Sequence, residues 1–193
     1  MKEDLKYKIL KASLDLLEEG DVSALSMREV ARRAGVSHQA PYHYFADREA
    51  ILAELVRDGF ERLHQDETSA VDAHDDQKDK IAALGESYVQ FALENPSLFR
   101  LMFRCDMVDL DKHPDAKAAA NKAFDVPIRV MGSNSNVDEA TRFATVIGCW
   151  SMAHGLATLA LEGVLTNKLA DLDQSLDDLI RNTVKTFTAR LPD

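Results

Sequence analysis

The sequence predicts an all-α fold of roughly nine helices, and three observations carry that prediction. Apolar residues recur at spacings of three and four along segments of about ten to twenty residues. No run alternates with the two-residue period of a strand between turn signals. Ser, Asp, Gly and Pro stand where helix starts and stops need them.

The first helix, Leu5 to Glu18, places Leu5, Ile9, Ala12 and Leu16 on one stripe, and Gly20 stops it. "SMRE" then opens a second as a capping box, in which the Ser26 hydroxyl accepts from the Glu29 amide and the Glu29 carboxylate reaches back. That helix ends at Gly35. After "GVS" a third runs from Ser37 to Phe45, and a fourth, capped by Asp47, reaches about His64. The acidic "QDETSAVDAHDDQKD" reads as a loop. A helix from about Lys78 to Glu94 is closed by Asn95 and Pro96, and "PSLFRLMF" begins a short apolar one at Pro96. The segment from Pro114 to Met131 is helical with a kink expected at Pro127, and "GSNSN" is a loop. Asp138 starts a long helix to Glu162. A last one, about Asp173 to Leu191, aligns Leu176, Leu179, Ile180, Val184, Phe187 and Leu191. Two domains are expected, residues 1–47 and 48–193, with the helix at 48–64 connecting them.

Composition narrows the function classes. At 193 residues and 46% hydrophobic content the chain can bury one sizeable core. The net charge of -10 would disfavour a nucleic-acid partner if it were evenly spread, but it is not. Between Val22 and Asp47 three Arg face only Glu29 and Asp47, which leaves a local surface able to meet phosphate. Cys105 and Cys149 form no metal or disulfide pattern, and the charged, amphipathic opening "MKEDLKYKIL" predicts no signal peptide, so a reduced, cytoplasmic setting is expected. Residues 143–161 carry no formal charge; with His154, Ser151 and two Gly they read as a buried central helix rather than a membrane span. No Gly-x-Ser-x-Gly, phosphate-binding Gly loop or metal cluster appears, which predicts neither an enzyme nor a cofactor. His38 and His43 are five apart, a poor match to helical metal pairs.

Two short helices joined by a Gly-containing turn have the geometry of a helix-turn-helix. On the second, His38 and Tyr42 lie one turn apart, as do Gln39 and His43, so the four share the face away from the core. Ala40 and Phe45, with Val30, Ala31, Val36 and Leu52, supply the inward surface. Gln pairs bidentately with adenine, and Tyr and His donate to phosphates or base edges. Surface filler is the reading to prefer for any lone His or Tyr; these four residues together, among Arg28, Arg32, Arg33 and Arg48, favour DNA.

"LSMREVARRAGVSHQAPYHYFADREAIL", Leu25 to Leu52, strongly resembles the DNA-binding domain of the TetR family of bacterial transcriptional regulators. "CWSMAHGLATLALEG", Cys149 to Gly163, resembles the Trp-His-Gly type of C-terminal domain found in one branch of it. The resemblance implies that Arg28, His38, Gln39 and His43 face bases, and that Ser26, Ser37, Tyr42 and Arg48 position phosphates. Two positions depart from the family pattern. Tyr44 stands in the reading set where a His is usual, and Pro41 lacks the amide that would bond to the Ser37 carbonyl, which leaves open whether His38 or Gln39 reaches a base.

The resemblance also implies a homodimer on a double-stranded operator and a small-molecule effector. Ala144, Gly148, Ser151, Gly155 and Thr158 form a small-residue stripe on the long helix, which with Leu176, Ile180, Val184 and Phe187 of the last helix is the expected dimer surface. Phe91, Leu98, Phe99, Met102, Phe103, Met107, Phe124, Ile128 and Met131 read equally as core or as the wall of an apolar pocket, with His154 and Trp150 as polar anchors. The expected function is a transcriptional regulator, a repressor released by an apolar ligand. The rivals are a helical protein-interaction module that has kept the fold without DNA binding and a weakly supported redox sensor, whose two cysteines are expected in apolar surroundings.

Overall fold

The computed structural model describes residues 2–20, 25–132, 138–169 and 174–191, and among them there is no strand. The helices are α1 (Lys2–Glu19), α2 (Met27–Arg33), α3 (Arg48–Asp72), α4 (Gln77–Glu94), α5 (Pro96–Met102), α6 (Pro114–Met131), α7 (Glu139–Leu161), α8 (Val164–Leu169) and α9 (Leu176–Thr188), with a short 3-10 turn at Pro41–His43 between α2 and α3. The predicted caps are present at three starts. The side chains of Ser26, Asp47 and Asp138 accept from the amides of Glu29, Ala50 and Thr141 at 3.2, 2.9 and 3.0 Å. The Glu29 carboxylate forks onto Arg32 instead of reaching back to its cap.

Three elements differ from the sequence reading. The acidic run after His64 is helix as far as Asp72, because Leu63, Glu67 and Val71 continue one buried stripe at four-residue spacing. The segment Ser37 to Phe45 is not a regular helix but a chain of turns. Lacking the Pro41 amide, the Ser37 carbonyl accepts from Ala40 at 2.9 Å, and the three-residue spacing continues through Tyr42 to Gln39 and His43 to Ala40. The six-residue α8 was not anticipated. α6 runs through Pro127 to Met131.

The chain divides into two compact units, Met1–Glu61 with Asn95–Ala120, and Arg62–Glu94 with Asn121–Asp193. The division therefore departs from the expected boundary after residue 47, since α5 packs on α1 and the first part of α3 belongs with them. In the first unit Ile9, Leu25, Val30, Ile51, Leu52 and Val56 are buried. Gly59 lets α5 approach α3, where an added Cβ would meet the Met102 sulfur at 2.7 Å. Phe103 stacks edge-on against Phe60 and Phe99, with centroids 5.9 and 5.1 Å apart. In the second unit α4 is the central element, packed by α7 and α9, and a cluster of Leu84, Val126, Val130, Met131, Val146 and Cys149 fills the space beside it.

Gly35 ends the turn after α2 at φ +67°, with nothing within 4 Å of where a Cβ would stand. Strain in the left-handed region alone then sets the cost of a side chain. Gly35→Ala is expected to lower unfolding stability by about 1 kcal/mol, and Gly35→Asn by less, in matched chemical denaturation curves.

Candidate functional site

The first site is the surface of the turn. Ala40, Pro41 and Phe45 are buried beneath it, and the Lys6 ammonium sits 5.9 Å from the Phe45 ring centroid. Because these three residues point inward, His38, Gln39, Tyr42 and His43 are exposed, and the rings of His38 and Tyr42 lie 6.0 Å apart. Ser26, Arg28 and Ser37 are exposed too, while Tyr44 and Arg48 are half-buried. Of the nearby guanidiniums, Arg32 is engaged by Glu29 and Arg33 by Glu19. Those hydrogen bonds hold both carboxyls below the usual carboxylate range. Arg28 makes no ion pair among the described residues. The surface thus offers donors and acceptors of several kinds at one exposed turn, with two of its acids already neutralised by partners.

The second site is a cavity within the second unit, with about 30 Å³ of space, room for about two waters. Its walls include Glu67, Ile81, Leu84, Tyr88, Pro127, Met131, Cys149, Trp150, Met152 and Phe187. Trp150 Nε1 donates to the Tyr88 hydroxyl at 3.1 Å, and the same hydroxyl lies 2.8 Å from His154 Nδ1. Burial depresses the His154 pKa and so favours the neutral ring. The Tyr88 hydroxyl thus bridges the indole of Trp150 and the imidazole of His154. Burial also holds the Tyr88 phenol above its ordinary range and pushes the Cys149 thiol to about 11. Cys105, expected in apolar surroundings, is exposed.

The expected pocket residues do not come together as one wall. Trp150 lines the cavity, Phe124 packs edge-on against Trp150 at 5.4 Å, and His154 is tied to it through Tyr88. Phe91 is core at 2% exposure, and Ile128 is 39% exposed. Phe99, Met102 and Phe103 belong to the packing of the first unit, and Met107 is half-buried there. The expected dimer residues divide as well. On α7, Ala144, Gly148, Ser151 and Thr158 are exposed and Gly155 half-buried, flanked by Phe143 and Leu159 at 53% and 45% exposure, so α7 is buried along one face only. On α9, Ile180 and Val184 are buried within the chain, Leu176 is half-buried and Phe187 lines the cavity, because α9 turns that stripe inward. Periodicity locates a stripe but not what covers it.

Sequence reasoning missed Glu67. Its side chain lines the cavity at 4% exposure, and one carboxyl oxygen has no hydrogen-bond partner. Burial, with a smaller push from the charge of Asp66, raises its pKa to about 8. The signal was its register, four residues after Leu63 and four before Val71.

Comparison with known proteins adds two family matches. Residues 9–55 match the family described as bacterial regulatory proteins, tetR family, and residues 81–183 match the tetracyclin repressor-like C-terminal domain. The HTH-type transcriptional regulator BetI of Rhizobium meliloti is 30% identical over 76 residues, which span 39% of this chain and 37% of BetI, so the match covers little over a third of that relative. A solved protein of unknown function from Rhodococcus sp. RHA1 shares 28% identity and superposes with a TM-score of 0.81 over 98% of this chain and 96% of its own. The Thermus thermophilus TetR family transcriptional regulator PfmR shares the fold, with a TM-score of 0.69 at 18% identity over 96% and 99% of the two chains.

The Glu67 carboxyl is neutral in the folded state up to about pH 8 and ionised in the unfolded state above about 4.5. Folding must then take up a proton across that window, so its stability contribution is intact below 4.5 and is lost as pH rises towards 8. Glu67→Gln is expected to gain stability over the parent steadily between those values and by a constant amount above them, measured by denaturation across pH.

Proposed function

The chain belongs to the TetR family of bacterial regulatory proteins, and from that premise we propose that it is a sequence-specific DNA-binding transcriptional regulator acting as a homodimer in the cytoplasm. The observation that carries the proposal is the exposed set His38, Gln39, Tyr42 and His43 over a buried floor, inside the residues that match the family's DNA-binding region. Gln39 and the two imidazoles have the chemistry to read base edges, while Ser26, Ser37, Tyr42 and Arg48 have the chemistry to hold phosphates. A turn this short makes few contacts, and two copies on two half-sites supply the rest. The exposed, small-residue face of α7, bordered by Phe143 and Leu159, is the surface proposed to pair the two copies.

Repression released by a small molecule completes the reading. The cavity beside Trp150 is the proposed effector site. A ligand there acts only through its differing affinity for the DNA-competent state and the alternative state, whatever its tightness for either.

Fluorescence anisotropy with the DNA upstream of the chain's own gene and with a shuffled duplex, at two salt concentrations, tests the DNA reading. Preferential binding that weakens with salt is expected. Arg48→Ala should weaken binding to both duplexes, and Gln39→Ala mainly to the upstream one, by about tenfold or more for a lost bidentate base contact. Binding that is equal and weak on both, and unmoved by either substitution, would favour a protein-interaction module instead.

A further inference from the structure

Glu67 occupies a core position in a cavity whose other walls are mostly apolar or aromatic, with the Cys149 thiol and a Thr188 hydroxyl that donates to the Val184 carbonyl, and no Lys or Arg stands among the lining residues. A buried polar atom with no partner costs folding free energy, yet this one is held in place by the Leu63 to Val71 stripe of α3. Here the carboxyl lines the cavity, the Tyr88 hydroxyl is hydrogen-bonded to Trp150 and His154, and burial lowers the His154 pKa. Among the described residues that line the cavity, none donates a hydrogen bond to that buried carboxyl oxygen. Resting on the effector reading above, we infer that the cavity takes a small organic cation with an apolar body, its positive centre paired with Glu67 and its body against Tyr88, Trp150 and Phe187.

The chemistry of the walls agrees with that assignment. Ring faces attract a cation that has lost its water, so the three aromatics add to the carboxylate instead of competing with it. An anion would meet Glu67 with no compensating cation in the lining. Met131 and Met152, unbranched and adaptable, are the groups able to move aside as the site enlarges from its two-water volume. Pairing with a cation also ionises Glu67, so binding releases a proton and strengthens as pH rises towards 8. The other titratable groups near the carboxyl are His64 and Asp66 on α3, Tyr88 on α4, and Cys149 and His154 on α7; the α6 and α9 lining residues carry none.

Trp150 is the single tryptophan of the chain and lines the cavity, so its emission reports occupancy directly. Benzylamine, benzyl alcohol and benzoate, which differ mainly in charge, are titrated into the full chain at pH 7.5, with calorimetry as a second readout. Benzylammonium is expected to bind at least tenfold more tightly than the alcohol and benzoate not at all. Glu67→Gln, checked for folding by circular dichroism, should bring the amine to the affinity of the alcohol. Equal affinities for amine and alcohol, or a preference that survives Glu67→Gln, would overturn the cation while leaving an apolar ligand site. No binding of any of the three would remove the ligand site as well. Anisotropy with DNA in the same titration separates the two readings: amine binding that needs Glu67 but leaves DNA affinity unchanged supports the cation site and ends its role as an effector switch.

Discussion

The burial of α4 is the constraint on which the second unit depends. Leu84, Tyr88, Val89, Phe91 and Ala92 form its inward face, and one of them carries a hydroxyl. Taking that hydroxyl out of water is favourable only if it keeps hydrogen-bond partners, which fixes Trp150 and His154 of α7 around it. The same packing that satisfies Tyr88 leaves the Glu67 carboxyl beside it without a full complement of partners. One polar group is thus structurally complete and its neighbour is not, and the cavity between them takes its chemical character from that asymmetry.

In the first unit the corresponding constraint is an absence within the backbone. Pro41 offers no amide, so the Ser37 carbonyl turns to Ala40 and the segment tightens into three-residue turns. Tightening does not disperse the polar side chains, because Ala40, Pro41 and Phe45 anchor the inner side and hold the others outward. A proline that looks like a defect in a reading helix thereby serves as part of its floor. The positive φ at Gly35 completes the arrangement by letting the chain reverse after α2.

Much of this was legible from residue types and spacing. The caps at Ser26, Asp47 and Asp138 were readable because short oxygen-bearing side chains beside helix starts have one dominant use. The exposed set at His38 to His43 was readable because nothing apolar explained it. The end of α3 was not, since Glu67 broke the apolar pattern at the position where the stripe continued into the core. The stripe on α9 was found but turned the wrong way, because 3.6-residue periodicity is the same for a face that meets its own chain and one that meets a partner. The run of Phe and Met from Phe91 to Met131 looked continuous in sequence, whereas Phe103 packs between Phe60 and Phe99 in the first unit, and Phe124 and Met131 stand with Trp150 in the second.

The central claim is that the turn between α2 and α3 is the surface that meets DNA. Backbone amide hydrogen exchange, followed peptide by peptide with and without a saturating duplex, tests it most directly, because it reports protection without assuming which side chains matter. The account predicts slowed exchange concentrated in residues 26–48. Protection confined to other segments, with residues 26–48 exchanging as in the free protein, would contradict it.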